Sequence, residues 1–224
     1  MDQLREETAS EQNNPGAPRL PAHPFRGLWV GESGCGKTHS VIENLILDPE
    51  SPFDRVIWVA PAASLEQPII KRLEELHEPV DVPSTGDVSG SPGPKTFFTV
   101  PGLGPDEIED VEKLIGDGFD AGHQTLLVID DCLCEGNRKA KQLFVDRMFT
   151  SGRHRNVSTV MLVQRVFAPE SRTARINCDV FWISSFGDRR EAKQLFQQLA
   201  PASWKQITAA HRDVRAWPRQ RPLH

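Results

Sequence analysis

No stretch of this sequence approaches the roughly 18 consecutive apolar residues that a membrane-crossing helix requires, so no membrane span is expected. Cysteine is sparse, and Cys35, Cys132, Cys134 and Cys178 follow no framework spacing, which argues against a disulfide-stapled secreted domain. Residues 1–24 are polar and lack the apolar core of a secretory signal, and the sequence therefore predicts an intracellular protein with reduced thiols. Cys132 and Cys134 form a C-x-C pair without Cys or His partners at ligand spacing, a pattern of buried or idle thiols rather than of a metal site. No internal repeat is visible.

What is present fits one α/β domain: 224 residues can bury a sizeable core. The formal net charge of −5 hides a division, because residues 1–135 carry 9 Lys+Arg against 25 Asp+Glu and residues 136–224 carry 17 against 6. A basic second part suits a polyanion partner, or it neutralises the acidic first part across the fold or between subunits. Residues 1–24 are rich in Glu, Gln, Asn and Pro, with too little to bury against the entropy of ordering, and read as a disordered arm. Residues 25–212 read as the folded domain, with 79–95 a Pro, Gly and Ser-rich loop or insertion, and 213–224 as a basic, Pro-containing tail.

The most informative stretch is Gly31-Glu32-Ser33-Gly34-Cys35-Gly36-Lys37-Thr38, which reads G-x-x-x-x-G-K-T. Glycines let successive backbone N–H groups turn inward around phosphate oxygens, Lys37 adds a point charge for the β- and γ-phosphates, and Thr38 offers a hydroxyl to Mg²⁺. The apolar run before it, Phe25 to Val30, reads as a strand, and Ser40 to Leu47 after it as a helix. Strand, loop and helix thus occur in the order a phosphate loop requires. Residues 31–38, with His39 beside them, are the expected contacts of a bound Mg·ATP.

Arg55 to Ala60 is a continuous apolar run suited to a strand buried on both faces. Leu65 to Leu76 follows with Leu65, Ile69, Leu73 and Leu76 on one helical face. Thr96 to Val100 predicts another strand. Pro105 to Ile115 predicts a helix, opened by Pro105 and early acidic residues. Gly136 to Ser151 predicts a helix with Ala140, Leu143, Phe144, Arg147 and Met148 near one face. Asp179 to Ser184 and Asp188 to Leu199 supply a further strand and an amphipathic helix, the latter with Leu195 and Leu199 inward, and Trp204 to His211 a possible last helix. Trp29, Trp58 and Trp182 lie in strand runs and are expected in the core rather than as base-stacking platforms; Trp204 and Trp217 stay open.

Gln124 to Asp131 is an apolar strand ending in two carboxylates. The reading places it beside the phosphate loop, with Asp130 on the metal and Asp131 on the attacking water; the alternative is two strand-end turn residues. Gly152-Arg153-His154-Arg155-Asn156 is a basic turn, and Val157 to Val163 a strand ending at Gln164. Gln164 is a candidate to touch the γ-phosphate or the lytic water, against the alternative of an amide bonded to backbone. Neither the Asn-Lys-x-Asp stretch that reads guanine nor the Leu-Ser-Gly-Gly-Gln signature of transporter ATPases occurs.

GESGCGKT, TLLVIDD and GRHRNVSTVMLVQ in this order resemble the genome-packaging ATPases of large double-stranded DNA viruses and virus-like transposons, the poxvirus-type branch of the FtsK/HerA superfamily, over residues 25–200. The resemblance implies a RecA-like P-loop NTPase core with a mostly parallel central sheet flanked by helices. It implies a homo-oligomeric ring, pentamer or hexamer, that hydrolyses ATP with Mg²⁺ to pump double-stranded DNA into a capsid through portal or vertex proteins. Carried over, Lys37 and Thr38 match the phosphate-loop pair, Asp130 and Asp131 the acidic pair, and Gln164 the strand-end sensor. Arg153 is the candidate arginine finger for a neighbouring subunit and Arg155 the second choice; the alternative for Arg153 is an ion pair or a DNA phosphate contact. The implied location is the host nucleus or a cytoplasmic virus factory, with association to the virion as an extension. No separate DNA-gripping domain is visible in this short chain. A small-molecule phosphotransferase resembling a nucleotide kinase, or a nucleotide-dependent switch without motor action, are the alternatives.

Overall fold

The computed structural model describes residues 22–77, 96–132, 138–168, 171–184 and 189–199. The expected arm before residue 22, the insertion 79–95, the helix 204–211, the tail 213–224, Cys134, Trp204 and Trp217 lie outside the described residues.

Six strands, β1 (Arg26–Val30), β2 (Arg55–Ala60), β3 (Thr96–Pro101), β4 (Thr125–Asp130), β5 (Val157–Val163) and β6 (Val180–Ile183), form one sheet in the order β3-β2-β4-β5-β1-β6. Every pairing is parallel. Parallel neighbours need crossovers, and the crossovers place helices on both faces, so the central strands are mostly apolar. β2 and β5 are buried at every residue. Because side chains alternate across a strand, β2 sends Val56 and Trp58 to one face and Ile57 and Val59 to the other.

The first face receives the helix that follows the phosphate loop, α1 (Lys37–Val41), and α3 (Pro68–Leu76), through Val41, Ile42, Leu45, Ile70 and Leu73. The other face receives α4 (Pro105–Asp120), α5 (Arg138–Ser151), α6 (Arg172–Asn177) and α7 (Arg189–Leu199), through Val111, Ile115, Phe144, Met148, Ala174 and Leu195. Trp29 and Trp58 are core residues at 2% and 1% exposure, whereas Trp182, on the edge strand β6, is half-buried.

Several sequence-based expectations need correction. The helix expected over 40–47 begins at Lys37 and continues beyond Val41 as a π-helical turn, Ile42–Ile46. The Asn44 side chain donates to the Ser40 carbonyl at 2.7 Å, the acceptor that its own amide would use in an α-helix. The ladder widens, and Leu47 N–H bonds to Ile42 O. The helix expected over 65–76 is two pieces, α2 (Ala62–Leu65) and α3, because Pro68 cannot continue a helix and instead opens one at its first position. The break rotates α3, so Ile70 is buried where Ile69 was expected and Leu76 is 63% exposed. α4 runs five residues past the expected Ile115. On α5 the inward face is Lys141, Phe144, Val145, Met148 and Phe149, while Leu143 is 62% exposed and Arg147 is exposed.

These neighbours give a direct check. Phe144→Ala should lower unfolding stability by about 3–5 kcal/mol and Leu143→Ala by less than about 0.5 kcal/mol, measured by urea titration. Equal losses would overturn the facing of α5.

Candidate active site

In an all-parallel sheet every strand ends at the same edge, and the segments leaving that edge are neighbours regardless of their distance in sequence. β1 leaves it as Gly31 to Thr38, β4 as Asp130 and Asp131, and β5 as Gln164. The Gly31 N–H donates to Val163 O at 3.1 Å, tying the start of the loop to the end of β5. In the sheet β5 lies between β4 and β1. Pattern within β4 carries no information about which strand it pairs with, and the consequence is that Gln164 emerges between the loop and the Asp pair.

Gly34 and Gly36 have φ of 74° and 92°, the left-handed region that a Cβ disfavours. This is the backbone that a loop needs in order to aim its N–H groups at one anion. Lys37 is buried, and its Nζ donates to Gly31 O at 2.8 Å and Glu32 O at 3.0 Å, across the loop. Thr38 Oγ1 donates to Asp130 Oδ2 at 3.4 Å. A hydroxyl and a carboxylate in this relation are hard oxygen donors of the kind Mg²⁺ takes alongside substrate phosphates, so the residues present fit a metal–nucleotide. The other loop residues, Ser33, Cys35 and His39, lie on the same turn, where His39 Nε2 stands 2.8 Å from Glu43 Oε1 on the exposed side of α1.

Asp130 titrates at about 6, raised by burial first and then by the charge of Asp131, against the opposing influence of Lys37 and the Thr38 hydrogen bond. Asp131 stands beyond the strand end, exposed, with φ 51°. Its Oδ2 accepts a 2.6 Å hydrogen bond from Gln164 Nε2. Asp131 and Gln164, with Ser64, Cys132 and Arg165, help line a cavity of about 390 Å³ at this edge. Cys132 is buried, its Sγ donates to Asp130 O at 3.1 Å, and burial pushes the thiol up to about 12.

The two arginine candidates are elsewhere. Arg153 and Arg155 lie in the 3-10 turn Gly152–Arg155, which precedes β5 and so sits at the opposite edge of the sheet. Seven residues of strand separate them from Gln164, about 23 Å at strand rise, so neither reaches the phosphate loop of its own chain. Arg155 donates to the backbone O of Glu112 on α4 at 3.2 Å. Arg153 is exposed and helps hold Asp179 below the usual carboxylate range, after the larger effect of the Arg26 hydrogen bond. Arg165, which the sequence reading passed over, is the guanidinium at the loop edge, with its Nε 3.6 Å from Glu191 Oε1 on α7. Its position directly after Gln164 was the available signal. Lys141, buried on α5 with its Nζ on Cys132 O, was also missed, and a lysine within an apolar face was its signal.

No protein family and no curated protein matches the sequence. Solved structures do match. The DNA-packaging ATPase B204 of Sulfolobus turreted icosahedral virus superposes with a TM-score of 0.53 at 16% identity, over 84% of this chain and 89% of that one. The genome-packaging NTPase B204 of Sulfolobus turreted icosahedral virus 2 does so in complex with AMP, with a TM-score of 0.51 at 12% identity over 82% and 86%. In complex with sulfate it gives a TM-score of 0.50 at 12% identity over 84% and 86%. At this identity the likeness is one of fold, and the fold is that of the RecA-like P-loop NTPases.

The raised pKa of Asp130 has a signed consequence. A carboxyl whose folded pKa lies above its ordinary 3.8 stabilises the fold when protonated. The contribution is fully present below about pH 4 and lost as pH rises through about 6. In the metal-free protein Asp130→Asn should therefore be more stable than wild type at about pH 7.5, by up to on the order of 3 kcal/mol. The advantage should vanish near pH 4. Urea titrations at both pH values check this, and an equal gain at both would show that the ionised carboxylate is not the cause.

Proposed function

We propose that this chain is an ATPase and that its substrate lies along the loop edge. The observation that carries the reading is the convergence of Lys37, Thr38, Asp130, Asp131 and Gln164 at the end of three neighbouring strands. ATP binding would draw Lys37 from the carbonyls of Gly31 and Glu32 to the β- and γ-phosphates. Thr38 and Asp130 would hold Mg²⁺, which would supply neutralisation of the phosphate charge that develops in the reaction. Asp131 orients the attacking water and accepts its hydrogen bond as oxygen approaches the γ-phosphorus in line with the leaving β-phosphate oxygen. Gln164, already bonded to Asp131, is placed to shift its amide to the γ-phosphate or the water and so to register hydrolysis.

The finer reading is a DNA-translocating, genome-packaging motor working as a ring, with double-stranded DNA, further copies of this chain and capsid proteins as partners, inside a host cell. It is supported by the sequence resemblance and by the shared fold with viral packaging enzymes. Because Arg153 stands at the edge away from its own site, a finger role for it requires a neighbouring subunit. One observation favours a second reading. The cavity beside Asp131 has room for more than a water, and a phosphotransferase would seat its acceptor there.

ATP hydrolysis with and without long duplex DNA, with oligomer size recorded in the same buffer, separates the two. The motor reading expects stimulation by DNA from a ring-sized species. It also expects Lys37→Ala and Asp131→Asn each to lose about 10²-fold or more. Hydrolysis indifferent to DNA from a monomer, rising with a small acceptor, supports the phosphotransferase, and Lys37→Ala active at the wild-type rate would sink both.

The trans assignment has its own check. Fingers contribute about 10³ to 10⁵ in rate where they act, so Arg153→Ala alone should be inactive. Mixing it with inactive Lys37→Ala chains should restore hydrolysis, because some interfaces then pair an intact loop with an intact Arg153. Absence of rescue in mixed rings returns Arg153 to a role at the Arg26–Asp179 edge.

A further inference from the structure

The buried face of α5 contains one charged residue. Lys141 is 7% exposed and lies one turn before Phe144 and Val145, which are fully buried. A leucine or methionine there would complete the apolar face. Burying an ammonium is costly unless it is well paired, and the first turn of a helix is the end at which the backbone dipole disfavours a cation. No acidic residue stands in that turn to offset it.

The Nζ of Lys141 donates a 2.8 Å hydrogen bond to the backbone O of Cys132. That carbonyl belongs to the residue directly after Asp131, whose φ of 51° is a conformation that a non-glycine residue keeps only where its surroundings hold it. Among the described residues the turn has four side-chain ties. Cys132 Sγ bonds back to Asp130 O, Thr38 Oγ1 bonds to the Asp130 side chain, Gln164 Nε2 bonds to the Asp131 side chain, and Lys141 reaches the turn from the core side. The first is local to the turn, the second ends on Asp130 ahead of Asp131, and the third must be released if Gln164 is to turn to substrate. Lys141 ties the backbone beyond Asp131 to a helix packed on the sheet.

We propose that Lys141 is a positioning residue: it fixes the turn at Asp130–Cys132 so that the Asp131 carboxylate stays aimed into the cleft when Gln164 lets go. The catalytic part of this statement rests on the hydrolase reading above; the structural part does not. Lys141 touches no substrate in this scheme and acts through the carbonyl that it holds.

The test uses the full chain with Lys141→Met and Lys141→Arg. Cys132 is a reporter built into the turn, and the half-buried Cys178, next to β6, is a reference outside it. Alkylation by N-ethylmaleimide in the absence of nucleotide, followed by peptide mass mapping, gives a rate for each thiol. In Lys141→Met the Cys132 rate should rise by about 10-fold or more as the turn opens locally, with the Cys178 rate and urea midpoint unchanged. Lys141→Arg, which can still donate, should restore the slow rate. In hydrolysis, Lys141→Met should lower kcat by about 10- to 100-fold with KM within about 2-fold, the signature of lost aim rather than lost binding.

An unchanged Cys132 rate in folded Lys141→Met overturns the proposal. So does a parallel rise at Cys132 and Cys178, which would mark a general loosening of the fold, or an open turn with wild-type kcat. If the wild-type protein hydrolyses no nucleotide, the hydrolase reading falls, and the Cys132 rate still decides whether Lys141 holds the turn.

Discussion

Burial of the central parallel strands on both faces confines most polar chemistry to the two edges where strands begin and end. The interior of β2, β4 and β5 is mostly Val, Ile, Leu, Trp and Met, since a buried polar group needs a partner, and the buried polar side chains Thr125, Ser158 and Thr159 stand near the strand starts. The reactive groups therefore collect where the strands end, and the parallel arrangement sends every strand to that edge in the same sense. Gly31, Asp130 and Gln164 are far apart in sequence and adjacent in space for this reason alone.

At that edge each functional side chain is satisfied by another part of the site. Lys37 rests on two loop carbonyls, Thr38 on Asp130, and Gln164 on Asp131. Binding of a nucleotide there would exchange one set of hydrogen bonds for another instead of uncovering buried donors, which would keep the net cost of rearrangement small. Asp130 is the exception. Burial and the neighbouring carboxylate raise its pKa to about 6, so near neutrality the metal-free site carries an ionised group that the fold disfavours. A cation beside such a carboxylate would favour its ionised form and lower its pKa.

Much of this was legible in the sequence because the phosphate loop is contiguous and its residue types are fixed by backbone geometry. The apolar runs were legible as strands because burial on both faces leaves no alternation to misread. What the sequence left open depended on relations between segments. Whether β4 lies beside β1 is decided by crossovers and not by anything within Thr125 to Asp130. Arg153 and Gln164 bracket one strand in sequence, and the strand's length separates them by the depth of the sheet. Local readings failed where one residue overruled a period: Pro68 cut a helix whose apolar spacing looked continuous, and Asn44 widened a turn by taking a carbonyl from the backbone. Leu143 satisfied helical spacing as well as Phe144 did, and only packing against the sheet distinguishes them.

The charge division of the chain resolves in part along the same lines. Arg147 of the basic second part pairs with Glu112 of the acidic first part at 2.6 Å, and Arg155 is held by the backbone of the same residue. Asp179 is paired with Arg26 at 2.7 Å. Of these, the Arg147–Glu112 pair offsets charge between the two parts of the chain, and all lie away from the phosphate loop. By contrast, Arg138 and Lys139 are exposed at the start of α5, the end nearer the loop edge, and Arg165 is exposed beside Gln164 with one long contact to Glu191. Ion pairs this exposed contribute little to stability, so a fold selected only to balance its charges gains almost nothing from cations at that edge. A polyanion passing over the strand ends would gain from them directly, through phosphate contacts and counterion release. Internal pairing of charges and a polyanion partner are therefore not rival explanations of the basic second part, since they would draw on cations at opposite edges of one sheet.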